Sequence, residues 1–165
     1  MASDLISNLI DDWKKERPDL NADGMSVCGR ILRLGRLLED DVNKTLKKFD
    51  LQYTELDVLA TLRRKGSPFQ LKPKQLIESV LITSGAMTAC LDRLEKRKLL
   101  VRLSDPNDRR GRIIALTPEG VALIDQAIEL RFKQASKSLS GLTQSDQIKL
   151  SGLLEKLSLT YTPIA

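Results

Sequence analysis

The chain has 165 residues, 41% hydrophobic and 30% charged, with a formal net charge of +5 at pH 7. That balance suits one compact protomer with a sizeable core and excludes wholesale disorder as the starting expectation. There is no histidine, and the two cysteines, Cys28 and Cys90, are far apart; the commonest neutral-pH base and metal ligand is missing, as is any disulfide or zinc spacing, so no cofactor or metal is expected and enzyme chemistry starts at a disadvantage.

Asp4, Asp11 and Asp12 interrupt any apolar run at the start, and no later segment is long enough to span a bilayer, so the expected address is cytoplasmic with no membrane partner. Leu5, Leu9 and Trp13, with Ile6 and Ile10 beside them, recur at helical spacing and predict a short amphipathic helix that stops before Pro18. After a turn at Asn21-Ala22-Asp23-Gly24, the stripe Val27, Ile31, Leu34, Leu38, Val42, Leu46 and Phe49 predicts a long helix from about Met25. Thr54 and Asp57 have capping-box spacing ahead of Val58, Leu59 and Leu62, and Gly66-Ser67-Pro68 ends that helix.

A short helix over 72–79, with Pro73 in its first turn, precedes another from Thr83 to about Arg97, as in a helix-turn-helix. On the second, Met87, Leu91 and Leu94 share an anchoring face, leaving Gly85, Thr88, Ala89, Asp92 and Lys96 outward. Residues 99–104 and 112–116 can pair as a hairpin across the turn 105–112. Thr117-Pro118-Glu119 opens a helix carrying Val121, Ile124, Ile128 and Phe132, and Thr143 with Asp146 opens a last one carrying Ile148, Leu153, Leu154 and Leu157. The terminal helices carry more aliphatic surface than the small central module can cover, which points to a symmetric dimer.

Eight of the twenty-one residues from Asp92 to Arg112 are lysine or arginine, whereas six acidic groups fall within the first 23 residues. The positive field is therefore concentrated on the second helix of the pair and on the hairpin. A helix with a small-residue face, Ser84-Gly85-Ala86-Met87-Thr88-Ala89, followed by a basic hairpin suits double-stranded DNA, the helix in the major groove and the hairpin on backbone or minor groove. On this reading Ser84, Gly85, Thr88, Ala89, Asp92 and Lys96 face bases or backbone, and Arg109, Arg110 and Arg112 face phosphate. Arg93 either joins the DNA contact or braces the fold.

The run Asp108-Arg109-Arg110-Gly111-Arg112-Ile113-Ile114-Ala115-Leu116-Thr117-Pro118-Glu119-Gly120 resembles the wing signature of the MarR family of winged-helix transcription regulators: Asp-x-Arg, alternating aliphatics, then Leu-Thr-x-x-Gly. Ser84-Gly85-Ala86-Met87-Thr88 and Asp92-Arg93-Leu94-Glu95 agree with its helix-turn-helix. The resemblance covers essentially the full chain. It implies a mainly α fold with a small β hairpin: one protomer over 1–165, dimerisation helices at 1–50 and 118–165, and a winged helix-turn-helix lobe at 51–117. It also implies a homodimeric regulator of a pseudo-palindromic operator, repression being the expected sign, answering to a small aromatic or anionic effector.

Within the family, Trp13-Lys14-Lys15-Glu16-Arg17-Pro18-Asp19-Leu20 resembles the N-terminal extension of the urate-responsive branch, the PecS and HucR type. That resemblance implies a ligand site built from Trp13, Asp57 and Arg102. The branch's recognition-helix arginine falls at Cys90, so the cation expected to meet an anionic ligand or Asp57 is missing.

Each assignment has a plainer counterpart: Arg110 pairing with Asp108 in a solvated turn, Asp57 as a helix cap, Trp13 as packing, Arg102 in a salt bridge. Cys90 is either a small buried hydrophobe or a redox switch whose pKa Arg93 and Arg97 lower. Two alternatives to an effector-responsive DNA regulator follow: a redox-responsive regulator using Cys90, and a winged-helix module for protein or RNA contact.

Overall fold

The computed structural model describes residues 4–80 and 84–161, and side chains at 84, 109 and 110 lie outside the description. The chain divides into two compact units, Met1–Tyr53 and Thr54–Ala165.

In the first unit, α1 (Leu5–Glu16) starts at Asp4, whose side chain accepts the Ser7 N–H at 2.7 Å. That cap and the guanidinium of Arg30 hold the Asp4 carboxyl down at about 2. Helix α2 (Asp23–Leu46) packs beside α1, and Arg30 reaches back to both oxygens of Asp4 at 2.8 and 3.0 Å. Gly29 lets Ile6 sit close, since a Cβ at 29 would lie 3.3 Å from the Ile6 Cδ1. The expected stripe to Phe49 breaks at Leu46: residues Lys47–Phe49 tighten into a 3-10 turn, and Asp50 takes a left-handed conformation at φ 51°. Met25, Val27, Leu32, Leu34, Leu37 and Leu38 remain exposed along α2.

The second unit opens with α3 (Tyr53–Arg64), β1 (Gln70–Leu71), α4 (Pro73–Ser79) and α5 (Ser84–Lys96). It continues with β2 (Leu100–Asp105), β3 (Asp108–Leu116), α6 (Pro118–Ser138) and α7 (Gln144–Leu159). Helix α3 begins one residue before Thr54, so Thr54 lies inside its first turn rather than at the cap position expected for it. Thr83, the expected start of α5, lies outside the described residues. The strands form an antiparallel sheet ordered β1-β3-β2, in which Gln70 and Leu71 pair with Ala115 and Ile114. Two residues are too short a run for periodicity to reveal, which is why β1 was not anticipated.

The core of this unit is Val58, Leu59 and Leu62 of α3, Leu76 of α4, Met87 and Leu94 of α5, Leu100 and Ile114 of the sheet, and Ile124 of α6, all essentially inaccessible. Helix α6 is seated on the sheet by its first turn. Thr117 accepts the Gly120 N–H at 2.9 Å and donates its hydroxyl to the Lys98 carbonyl at 2.7 Å. Gly120 then lies so close to Leu99 that a Cβ would fall 1.9 Å from its carbonyl oxygen. The Leu-Thr-x-x-Gly spacing thus has a steric cause: a cap at Thr117, and a residue without a side chain where the helix meets the backbone before β2. Arg63 clamps α3 to α6 with a two-pronged contact to Asp125, at 2.7 and 3.2 Å. Helix α7 buries no side chain, and Ile148, Leu153 and Leu159 stand exposed, as does Phe132 on α6 at 67%. Among the described residues no helix is long and apolar enough to cross a membrane.

Candidate nucleic-acid interface

Helix α4 begins where Pro73 preorganises the first turn and Gln75 accepts the Lys72 N–H at 3.1 Å. Helix α5 follows and is anchored by Met87, Cys90, Leu91 and Leu94, all at most 5% exposed. Burying each of the larger three contributes up to about 1.5–3 kcal/mol toward holding that face down. The opposite face presents Gly85, Ala86, Thr88, Ala89, Asp92, Arg93 and Lys96. Three of these, Gly85, Ala86 and Ala89, carry a methyl group or nothing, so backbone can come close to whatever α5 lies against. The side chain of Ser84 lies outside the description.

The hairpin differs from the broad turn expected over 105–112. Strand β3 starts at Asp108, leaving only Pro106 and Asn107 between the strands. Ser104 pairs with Arg112 and Asp105 with Asp108, so residues 109–111 form a bulge at the hairpin tip. The expected contact residues at 109, 110 and 112 therefore belong to a bulged strand and not to a loop. Arg112 is exposed, with its guanidinium 3.3 Å from the Gly111 carbonyl it donates to; the side chains of Arg109 and Arg110 lie outside the description. Gly111 is needed here, because a Cβ would lie 2.9 Å from that of Asp105 and 3.1 Å from that of Asp108.

Three charge clusters hold these parts together. Glu55 on α3 is 3% exposed and accepts from the Arg93 Nε at 2.8 Å. Arg93 thus braces α5 against α3, and that hydrogen bond raises its own pKa. Asp105, almost inaccessible at the end of β2, accepts the Asn107 N–H at 2.9 Å and meets the Lys72 Nζ at 2.6 Å. Lys72 foremost, then the Asn107 amide, push the Asp105 carboxyl below its usual value of 3.8. Arg102 on β2 donates to Asp92 at 2.5 Å and to Glu95, and Glu95 also accepts the Arg102 N–H at 3.2 Å. Partial burial opposes the charge of Arg102, and the two carboxylates outweigh it. Glu55, Lys72, Glu95 and Asp105 had no local sequence signal, since each acts through a partner at least seven positions away.

The residues of the expected ligand set fall on both units. Trp13 belongs to the first unit, 56% exposed, in an apolar groove between α1 and α2. Asp57 and Arg102 belong to the second unit; Asp57 is half-buried on α3, and Arg102 is engaged by Asp92 and Glu95, in keeping with its salt-bridge reading. Cys90 is fully buried, and its thiol is pushed up to about 11, by burial first and then by Glu55, with Arg93 lowering it only in third place. The lowering by Arg93 expected for a redox switch is present but outweighed, and the environment as a whole disfavours the thiolate that oxidation requires.

A helix-turn-helix whose second helix offers a small-residue face, backed by a three-stranded sheet ending in a basic hairpin, is a winged helix-turn-helix, a DNA-binding fold. Comparison with known proteins agrees. The MarR family model matches residues 51–111. The HTH-type transcriptional regulator PecS of Dickeya dadantii is 35% identical over 92% of this chain and 92% of its own. A mutant MarR of E. coli complexed with operator DNA is 26% identical, with a TM-score of 0.70 over 94% of this chain and 99% of that one. Bordetella bronchiseptica BpsR, whose DNA binding is regulated by 6-hydroxynicotinic acid, is 26% identical, with a TM-score of 0.70 over 79% of this chain and 98% of its own. The chain belongs to the MarR family of transcriptional regulators.

Proposed function

We propose that the protein is a homodimeric repressor that binds a pseudo-palindromic operator and is released by a small aromatic or anionic effector. The observation that carries the DNA reading is the outward face of α5, with Gly85, Thr88 and Ala89 exposed and Met87, Leu91 and Leu94 anchored beneath. Ser84, Thr88, Ala89, Asp92 and Lys96 approach the major groove, while Arg109, Arg110 and Arg112 approach backbone or minor groove from the bulged wing. Arg93, exposed on the same face, braces α5 through Glu55.

Dimerisation is supported by the large apolar side chains left exposed on the terminal helices, among them Leu9 on α1, Leu34 on α2, Phe132 on α6 and Ile148 on α7. We assign 1–50 and 118–165 to that role and 51–117 to DNA. Two such lobes place their reading helices roughly 34–36 Å apart on one face of the duplex. Operator binding by the MarR relative and regulation of BpsR by an aromatic acid support the same reading, and the protein then works in the cytoplasm beside its DNA.

The test is titration against duplex from upstream of the protein's own gene and against unrelated duplex, at several salt concentrations. Selective binding whose logarithm falls with log salt at about −0.9 per phosphate contact is the expected result. Equal, salt-labile binding to every duplex, or preference for RNA of equal length, would overturn it in favour of a different winged-helix partner.

A further inference from the structure

Lys72 stands just before Pro73, where helix α4 begins, and its side chain makes no cap there. A cation is the wrong charge for a helix N-terminus, where an acceptor such as Ser, Thr, Asp or Asn is preferred. A local rule broken in this way asks for a gain elsewhere. The gain lies across the sheet. Lys72 directly follows β1 at one edge, Asp105 ends β2 at the other, and β3 runs between them. The 2.6 Å ion pair of Lys72 with Asp105 therefore straps the middle strand at the foot of the 109–111 bulge.

The strap sits where the hairpin has least support. Strand β1 pairs with β3 only at Ile114 and Ala115, which lie opposite Arg102 and Val101 of β2, so beyond this level the wing is a two-stranded ribbon. Such ribbons twist strongly and have little stability of their own. Arg102 ties the base of the ribbon to α5 through Asp92 and Glu95, and nearer the tip Lys72 holds the nearly inaccessible Asp105. Asp105 in turn packs against the bulge, since a Cβ at Gly111 would lie 2.9 Å from its own Cβ. A shift of Asp105 therefore moves the segment that carries the wing arginines. We propose that Lys72 is a positioning residue for DNA binding: by holding Asp105 it fixes the angle of the wing tip, and so where the arginines at 109, 110 and 112 meet the duplex. This role rests on the reading above, in which the wing touches DNA.

The ammonium of Lys72 is itself exposed, so a direct phosphate contact is the competing role, and the two differ in sign at Asp105. Asp105→Asn keeps an acceptor for the Asn107 N–H, removes the ion pair and raises the net charge by one. Through charge alone it would tighten binding; through the wing it loosens it. Operator affinity is measured at several salt concentrations for the parent, Asp105→Asn, Lys72→Met, Lys72→Arg and the Lys72→Met/Asp105→Asn double variant, each folded at the assay temperature by circular dichroism. The expected result is that Asp105→Asn and Lys72→Met each weaken binding about fivefold, the scale of one partly exposed ion pair. Each should also reduce the salt slope by about 0.9, the share of one phosphate contact. The double variant is no weaker than either single one, and Lys72→Arg recovers the parent affinity. An Asp105→Asn variant that binds as tightly as the parent or more so, or losses that add in the double variant, would overturn the wing role in favour of a direct contact by Lys72. If Asp105→Asn does not fold, Arg112→Ala decides: its cost should shrink in the Lys72→Met background, and an undiminished cost would overturn the wing role. A parent that binds duplex without preferring its operator refutes the repressor reading alone, because the same variants are then compared on unrelated duplex; a parent that binds no duplex refutes both.

Discussion

Arg102 on β2 donates to Asp92 on α5 at 2.5 Å, and the same guanidinium reaches Glu95 one turn further along that helix. The wing and the reading helix therefore share one cluster of charge. Glu95 also takes the backbone N–H of Arg102, so the contact fixes the strand itself and not only a side chain. Sitting between two acids, Arg102 is a positioning residue for the reading surface.

Replacing Arg102 by alanine is expected to lower stability by about 1–2 kcal/mol, the scale of two partly exposed charged hydrogen bonds. Operator affinity should fall about tenfold more than affinity for unrelated duplex, because the helix loses its orientation and not its phosphate contacts. Arg102→Lys should restore only part of this, since an ammonium cannot match both acids with one rigid fork. Parallel titrations on the two duplexes check it; equal losses on both would make Arg102 a phosphate contact instead.

Gly120→Ala is expected to cost about 3 kcal/mol or more, at the upper end of overpacking effects, because the added methyl falls 1.9 Å from the Leu99 carbonyl oxygen. That obstacle is backbone, so no rotamer change relieves it. Urea denaturation gives the cost, and a loss under 1 kcal/mol would show that the start of α6 shifts freely. Gly85→Ala is the control, with nothing within 4 Å of the new methyl.

Much of this architecture was legible in the sequence because it is local. Met87, Leu91 and Leu94 reveal the buried face of α5 by their spacing, and Thr117-Pro118 announces the start of α6. The charge pairs were not legible: Glu55 and Arg93 are 38 residues apart, and each alone reads as an ordinary helix-surface charge. The bulge at 109–111 was hidden for a related reason, since Pro106, Asn107 and Gly111 all signal a turn and only pairing register distinguishes a short turn with a bulge from a long loop. Asp57 illustrates the reverse error: its spacing from Thr54 imitates a cap, yet the helix starts earlier.

The Lys72–Asp105 pair gives a pH dependence of definite sign. The folded-state pKa of Asp105 is depressed below 3.8, chiefly by Lys72, so the folded chain binds this proton less readily than the unfolded chain does. Its contribution is complete above the unfolded value and is lost as pH falls through the lower folded value. Lys72→Ala is therefore expected to flatten the fall of thermal stability below about pH 4 while leaving its shape between pH 6 and 8 unchanged. Melting curves of both proteins across that range test it, and parallel acid limbs would mean that Asp105 draws its stabilisation from the Asn107 amide alone.

Cys90 should be inert in the native protein. With its thiol pushed up to about 11 by burial, only roughly one molecule in a thousand carries a thiolate at pH 8, and the full burial of the side chain blocks access by reagents as well. A Cys28→Ser variant isolates this thiol, since Cys28 is the other cysteine and is exposed. Its reaction with a disulfide reagent is expected to be at least a hundredfold slower folded than in denaturant, and mild peroxide should leave operator binding unchanged. Rapid labelling of the folded variant, together with loss of operator binding on oxidation, would restore the redox reading, because it would mean that α5 opens often enough to expose Cys90 despite the packing of Met87, Leu91 and Leu94 around it.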